Sequence, residues 1–483
     1  MDLSYDTVKD AAGRTLYCFT TPDGKQSPTL HVSPGDHLII TVKNNLPKPG
    51  AADSMVVDRS PSRVCGATRA NESSVNIHFH GTNVSPACHS DEVIQTLINS
   101  GETFTYDAWF PQDEPPGLYW YHPHVHGLSE AAVLGGASGV IVVAGIEDLQ
   151  PAVGGLPERI LTIRDQKLPH GSPEGSVTPP IVPEKDLSVN YVPVPYPDYP
   201  PAKLTVKPNK KEFWRVTNAS ADTVLDLQLQ YDGAPQELQL VGRDGVPTGS
   251  QEGTRKGRII PVKHIVMPPA ARAEFIVNGP SSNVNSARLV TRKVDTGPDG
   301  DSDPTRPLIA IQTDPHAAEP SVMPPKSGPP GPQRFDLLLT IPPTKARRLY
   351  FSEDDEKNQF FITEEGAKPM LFSPTNPPSI TTTQGSVEDW TIENRARELH
   401  DFHIHQIHYM LLERDGAPAP VLERQAIDSV DIPAWSGTGP YPSVKVRLDF
   451  RRAEPGDFVY HCHILEHEDD GMMAIIRVLR PTK

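Results

Sequence analysis

Between Tyr460 and Met473 the chain reads YHCHILEHEDDGMM, which sets three imidazoles, a thiol, two thioethers and a run of carboxylates within fourteen residues. On a β-strand successive side chains face opposite ways, so His461 and His463 point to one side and Cys462 to the other. One strand can therefore feed two separate metal sites back to back. His467 and Met472 follow Cys462 at +5 and +10, close enough for a loop to return them to the thiolate. His400 stands three residues before His403 in HDFHIH; it breaks the alternating rhythm and can face the Cys462 side. Two imidazoles, one thiolate and a weak thioether are the ligand set of a blue-copper electron-transfer site. Met472 is the axial candidate, with Met473 as the alternative.

Four His-x-His pairs occur: His78/His80, His122/His124, His403/His405 and His461/His463. On strands each pair puts two imidazoles on one face about 6–7 Å apart, which suits two ligands to one metal or one ligand to each of two metals. A single pair is commonly incidental. Here PGLYWYHPH (116–124) matches PGDFVYHCH (455–463) at a constant offset of 339, and HFHG (78–81) matches HIHQ (403–406) at an offset of 325. Eight imidazoles with no obligatory carboxylate favour copper over calcium, magnesium or manganese. Zinc is chemically allowed, although a tetrahedral zinc site needs only four ligands. His126, His408 and His89 read as structural or rim histidines, and the isolated His31, His37, His170, His264 and His316 as ordinary ones.

The elements that must position these groups are short alternating strands. PGDHLIITVKNN (34–45), PNKKEFWRVTNAS (208–220) and TQGSVEDWTIENRA (383–396) share a turn, an alternating run and a closing Asn, and recur about every 175 residues. That period is domain-sized and implies three copies of one β domain. FTYDAWF (104–110), GVIVVAG (139–145), RILTIRD (159–165), AEFIVNG (273–279) and VKVRLDF (444–450) add strands at sandwich-like spacing. The expected division is 1–147, 148–320 and 321–483, with a Pro/Gly-rich extended linker at 314–334. The Pro-dense run 168–202 reads as a surface loop. The middle repeat has strands at equivalent places, such as AEFIVNG, without the histidines, and reads as a spacer for the outer two.

HFHG, WYHPH, HxxHxH and HCHxxxHxxxxM, in that order, resemble the four copper signatures of the multicopper oxidases, and the resemblance spans essentially the whole chain. HCHILEHEDDGMM is similar to spore-coat laccases and copper-efflux oxidases. The resemblance implies an all-β chain of three cupredoxin-like Greek-key β-sandwich domains and four copper ions. Type 1 copper would take His400, Cys462, His467 and Met472. Type 2 copper would take His78 and His403, and the type 3 pair His80, His122, His124, His405, His461 and His463. Glu468 matches the family's proton-relay glutamate. Asp91 matches its acid near the type 2 copper, with Glu92 as competitor. Two departures stand out: Asp401 replaces the usual Pro after His400, adding a charge expected to act on potential or substrate contact, and no Met-rich segment is present. The implied activity is laccase-like oxidation of phenols or aromatic amines, small-molecule donors whose electrons reduce dioxygen. A Cu(I) or Fe(II) oxidase is the nearest rival, ahead of a copper nitrite reductase or a non-catalytic cupredoxin scaffold.

Composition agrees. The 483 residues suit two to four domains, and 53 Pro with 35 Gly suit turn-rich β structure. A formal charge of −16 argues against a nucleic-acid partner. No apolar run is long enough to span a membrane as a helix, and no secretory signal is visible in MDLSYDTVKDAAGR. A monomer is expected, in the periplasm or secreted if the resemblance is followed. Cys65 and Cys88 could pair in an oxidising compartment or remain free thiols.

Overall fold

The structure, a computed structural model, describes residues 1–50, 65–169, 182–254, 256–322, 331–354, 356–420 and 423–482. It is built from β-strands, with short helices at Ser129–Leu134, Ile146–Leu149 and Leu465–Asp469. Strands form three sandwiches in chain order. In the first, one sheet runs Thr15–Thr20, Asp2–Lys9, His37–Asn44, Thr103–Trp109, and faces Leu30–Val32, Gly139–Val143, Leu118–His122, His78–His80. The third repeats that order with Gln359–Glu364, Lys345–Asp354, Val387–Asn394, Ser443–Asp449 over Ile380–Thr383, Met473–Leu479, Gly456–Cys462, His400–Ile404. The middle sandwich does the same over 158–313, and each sandwich encloses its own apolar core.

Each of the three repeated strands ends on an Asn that is fully buried: Asn44, Asn218 and Asn394. A buried amide must find partners, and all three find the same kind. Each Oδ1 accepts the backbone N–H two residues on, and each Nδ2 donates to carbonyls of neighbouring loops. Asn394 reaches the carbonyls of Glu398 (2.7 Å), Ile432 (3.2 Å) and Pro433 (2.9 Å), and so fixes the loop leading into His400.

Three expectations change. The run 168–202 is not simply a loop: Lys185–Val189 and Val192–Val194 are strands on the edge of the middle sandwich, and Pro193 is tolerated because its strand is the last one. Residues 170–181, with His170, lie outside the described residues. AEFIVNG does not correspond to a histidine strand; it takes the place of Thr103–Trp109, and the counterparts of the histidine strands are Leu225–Tyr231 and Ala287–Thr291. The 314–334 segment is anchored at its end, where buried Arg334 pairs with Asp113 at 2.9 Å; residues 323–330 lie outside the description. Cys65 and Cys88 form a disulfide, which ties down the segment that leads to Asp91. No helix among the described residues is long and apolar enough to cross a membrane.

Replacing Asn394 by Leu strands buried carbonyls, each worth about 1–3 kcal/mol. Denaturant unfolding of the metal-free protein is expected to show a loss of about 2–3 kcal/mol for Asn394→Leu, against less than about 0.5 kcal/mol for a surface substitution on the same sheet.

Candidate metal centres

The alternation expected at 460–463 is realised. Strand Gly456–Cys462 pairs with His400–Ile404 so that His461 stands opposite His403 and Cys462 opposite Phe402. Strand Leu118–His122 pairs with His78–His80, placing His122 opposite His78. The two cross-strand pairs are the same pair in the internal repeat. They face each other across the junction of the first and third sandwiches, where His78 stacks on His405 (3.8 Å between ring centres) and His80 on His403 (4.0 Å).

The repeat equates 78 with 403, 80 with 405, 122 with 461 and 124 with 463. Each stack thus joins one residue to the counterpart of its neighbour, the pattern of a local two-fold axis. The histidines gather accordingly. His80, His122 and His463 form one triad, and the two-fold converts it into His405, His461 and His124, which form another. His78 and His403 exchange with each other and sit together beside His80. In the second triad the His461 Nε2 lies 3.1 Å from His405 Nε2 and 3.4 Å from His124 Nε2. That is near the separation of nitrogens sharing one ion at about 2.0–2.1 Å each.

On the other face of the strand, Cys462 Sγ lies 3.6 Å from His400 Nδ1 and 3.7 Å from His467 Nδ1, and the two nitrogens are 3.1 Å apart. The return from Cys462 is a one-turn helix, Leu465–Asp469, rather than a plain loop. Gly471 reverses the chain with φ 118°, where a Cβ would strike Leu371. Met472 N–H then donates to His467 O (2.9 Å) and Cys462 N–H to Met472 O (3.1 Å). Met472 shares the apolar core that holds Cys462, whereas Met473 packs against Val93, Ile94 and Phe372. Burial pushes the Cys462 thiol up, but hydrogen bonds with His400 and His467 prevail and bring it down to about 6.

The imidazoles are held as bases. Burial first, and then mutual repulsion, keeps His78, His80, His403, His405 and His463 well below their ordinary range, and burial brings His461 down to about 3. Their outer nitrogens are occupied: His78 Nδ1–H by Asp91 (3.0 Å), His122 by Pro123 O (2.9 Å), His403 by Asp428 O (2.7 Å) and His461 by Cys462 O (2.8 Å). Other nitrogens of the cluster are not. Nε2 of His78, His80, His122 and His403, Nδ1 of His405 and both nitrogens of His463 have no hydrogen-bond partner among the described residues. Buried donors or acceptors without partners call for a ligand, and neutral imidazoles with a thiolate are a donor set that fits copper.

Glu468 is fully buried with Oε2 3.2 Å from His461 Nδ1 and Oε1 3.6 Å from His124 Nδ1; burial pushes its carboxyl well up. Asp91, also pushed up by burial, accepts from Phe79 N–H (2.8 Å) and from Gln406 Nε2 (2.6 Å) while facing His78. Glu92 instead accepts from Gln95 N–H and Thr96 Oγ1 and caps a turn. Asp401 cannot touch a substrate as expected, because it is fully buried; burial raises its carboxyl well above the ordinary range, and its N–H approaches Cys462 Sγ at 3.4 Å.

Sequence reasoning missed several partners. Glu353 Oε1 lies 2.8 Å from His400 Nε2, and Glu398 Oε1 3.1 Å from His467 Nε2. Glu398 precedes His400 by two and was within reach of a local reading; Glu353 sits on a distant strand and carried no signal. Phe360 stacks on His467 at 4.5 Å. His408 (Nε2–H to Asp244 O, 2.7 Å) and His89 (Nδ1–H to Thr105 O, 2.7 Å) are structural, as read, while His126 packs edge-on to Phe372. A pocket of about 180 Å³ opens beside His467, lined by Asp222, Asp299, Asp301, Glu398 and Glu466.

Stacked cupredoxin-like sandwiches enclosing a thiolate–imidazole group and an eight-histidine cluster define a class of multidomain copper protein. Models of multicopper oxidase domains match residues 68–147 and 340–481. The chain is 24% identical to a laccase of Bacillus subtilis (strain 168), covering 94% of this chain and 89% of that protein. Solved structures of the same fold include the McoA multicopper oxidase of Aquifex aeolicus (TM-score 0.70, 19% identity, 99% of this chain and 95% of that one). Another is a Campylobacter jejuni multicopper oxidase described as a metallo-oxidase (TM-score 0.69, 23% identity, 99% and 91%). The chain belongs to the multicopper oxidase family.

Cu(II) added to metal-free protein is expected to raise its melting temperature, since a ligand bound only by the folded state adds about 2.7 kcal/mol at 100-fold excess over Kd. Zn(II) at equal concentration should give a smaller rise, in the order of divalent-ion affinities. Equal or inverted shifts in a melting series would contradict the copper fit.

Proposed function

We propose that the chain is a laccase-like oxidase that couples one-electron oxidation of phenolic or aromatic donors to four-electron reduction of dioxygen to water. The observation that carries this reading is the pair of two-fold-related histidine triads lying one peptide from Cys462. In this reading His400, Cys462, His467 and Met472 hold the type 1 copper, His78 and His403 the type 2 copper, and the two triads the type 3 pair. The division into sandwiches at 1–147, 148–320 and 321–483 is proposed with it, supported by the three separate cores. The disulfide supports an oxidising compartment.

Bound copper would supply one-electron redox at the thiolate site and dioxygen reduction at the cluster. The chain's own residues do the rest. The nearly buried edge of His467 meets the donor pocket, so electrons arrive where water is largely excluded. Cys462 is bonded through the main chain to His461 and His463, which gives a short covalent path between the two sites. Reduction of dioxygen consumes protons, and Glu468, kept protonated by burial and aimed at His461 and His124, is placed to deliver one. Asp91 orients His78 and is held by Gln406 from the opposite sandwich.

A second reading, oxidation of reduced metal ions, is favoured by one observation. The donor pocket carries Asp299, Asp301, Glu398 and Glu466 against Lys185 and Arg397, together with Asp222, whose carboxyl burial pushes up to about 8, so its acids outnumber its bases and favour the approach of cations. The Campylobacter relative described as a metallo-oxidase has the same fold.

Cys462→Ser is expected to abolish the intense visible thiolate-to-copper band and dioxygen consumption; retention of the band would refute the assignment. Glu468→Gln should keep the band while slowing turnover about 100-fold or more. To rank donors, kcat/KM is measured for Fe(II), Cu(I) and a neutral phenol at low and high salt. Values for the ions that are about tenfold higher and fall with salt support the metal-ion reading; the opposite ranking without salt dependence supports the laccase-like one.

A further inference from the structure

Arg272 opens a strand of the middle sandwich, Arg272–Asn278, yet its side chain is fully buried among residues of all three sandwiches. From the third it clamps Asp428 with both ends of the guanidinium, Nη1 to Oδ1 at 2.8 Å and Nη2 to Oδ2 at 2.6 Å. From the first it donates Nε–H to Leu118 O at 3.2 Å. In its own sandwich Nη1 donates to Ala270 O at 3.0 Å, and the backbone N–H donates to Asp244 Oδ1 at 2.8 Å. Nη1 also lies 3.3 Å from His80 Nδ1, the longest of its three hydrogen-bond contacts, with Asp244 Oδ1 farther off at 3.9 Å. With two hydrogens on Nη1 already directed at Asp428 and Ala270, the guanidinium acts on His80 mainly by filling the space behind the ring.

The clamp reaches the cluster from a second direction. Asp428 presents its main-chain oxygen to His403 Nδ1–H at 2.7 Å. His80 and His403 are the rings that stack at 4.0 Å across the junction of the outer sandwiches. One cation from the middle sandwich therefore stands behind one ring and holds the residue that orients the other. Gly81 of HFHG adapts to it: its φ is 78°, and a Cβ there would collide with Arg272 Nη2 and Asp428 Oδ2. Buried charge without compensation is costly, so a bidentate pair placed here is kept for geometry rather than for stability.

We propose that Arg272 is a positioning residue of the histidine cluster, holding His80 directly and His403 through Asp428, which makes the middle sandwich a working part of the site and not only a spacer. The inference rests on the copper reading above. Removing Arg272 alone would leave Asp428 buried and unpaired and threatens folding, so two other variants carry the test. Arg272→Lys keeps the charge without the fork, and Arg272→Met with Asp428→Leu removes both charges. For each, copper per chain, the type 1 visible band, the type 2 electron paramagnetic resonance signal and the melting temperature of the metal-free protein are measured against wild type.

The expected result is an unchanged type 1 band, a shifted or lost type 2 signal, and a turnover loss of about tenfold to a hundredfold with donor KM unchanged. Wild-type copper content and type 2 signal in both variants would overturn the inference. So would loss of the type 1 band in step with a lowered melting temperature, which marks a purely structural role. A wild-type protein that takes up no copper would instead remove the functional reading on which the inference stands.

Discussion

The structure depends on a set of buried nitrogen atoms that nothing among the described residues satisfies. Nε2 of His78, His80, His122 and His403, Nδ1 of His405 and both nitrogens of His463 make seven such atoms in one small volume. Each unpaired buried group costs about 1–3 kcal/mol, so together they rival the about 5–15 kcal/mol by which a typical protein is stable. The outer nitrogens of His78, His122 and His403 are satisfied, by Asp91 and by main-chain oxygens, which fixes tautomer and ring direction at once. Buried neutral imidazoles gathered in this way are a donor set that fits metal ions. The seam of the outer sandwiches holds those rings against one another, His78 on His405 and His80 on His403.

The two-fold relation between the outer sandwiches explains the division of labour. Symmetry alone pairs His78 with His403 and splits the other six into equivalent triads, and it would also produce two equivalent thiolate sites. That symmetry is broken at every thiolate-site position: Val75, Pro123, Leu128 and Val133 occupy the places of His400, Cys462, His467 and Met472. It is broken again in the acids. Glu468 faces His461 and His124 of one triad, whereas the other triad has Arg272 behind His80. The two halves are thus alike in imidazoles and unlike in the titratable side chains that stand behind them.

Most of this was legible in the sequence because it rests on period-two spacing and on constant offsets. Alternation separated Cys462 from His461 and His463, the broken rhythm of His400 turned it to the sulfur side, and the 339 and 325 offsets announced the paired strands. What could not be read were groups brought in by packing. Glu353, Arg272 and Asp428 stand far from any motif, and their roles follow from which loops the three sandwiches press together. The choice between Asp91 and Glu92 was of the same kind: adjacent acids with equal chemistry, separated only by which one the turn at 92–96 uses as a cap. The run 168–202 misled because proline is read as a strand breaker, and an edge strand escapes that rule.

The middle sandwich is where the sequence says least and the structure adds most. It supplies no imidazole to either site, yet Asp222 lines the pocket at His467, and Lys185 pairs with Asp222 and with the pocket's Asp301. From the same end, where Arg272 pairs with Thr217, its side chain enters the junction at His80. A domain freed from binding metal is free to vary the surfaces around metal that others bind. Carboxylates of the middle and third sandwiches thus surround one nearly buried imidazole edge, while the histidine cluster lies behind it. Residues of this pocket can therefore change in charge while Cys462, His400 and Met472, buried in the third sandwich, stay as they are.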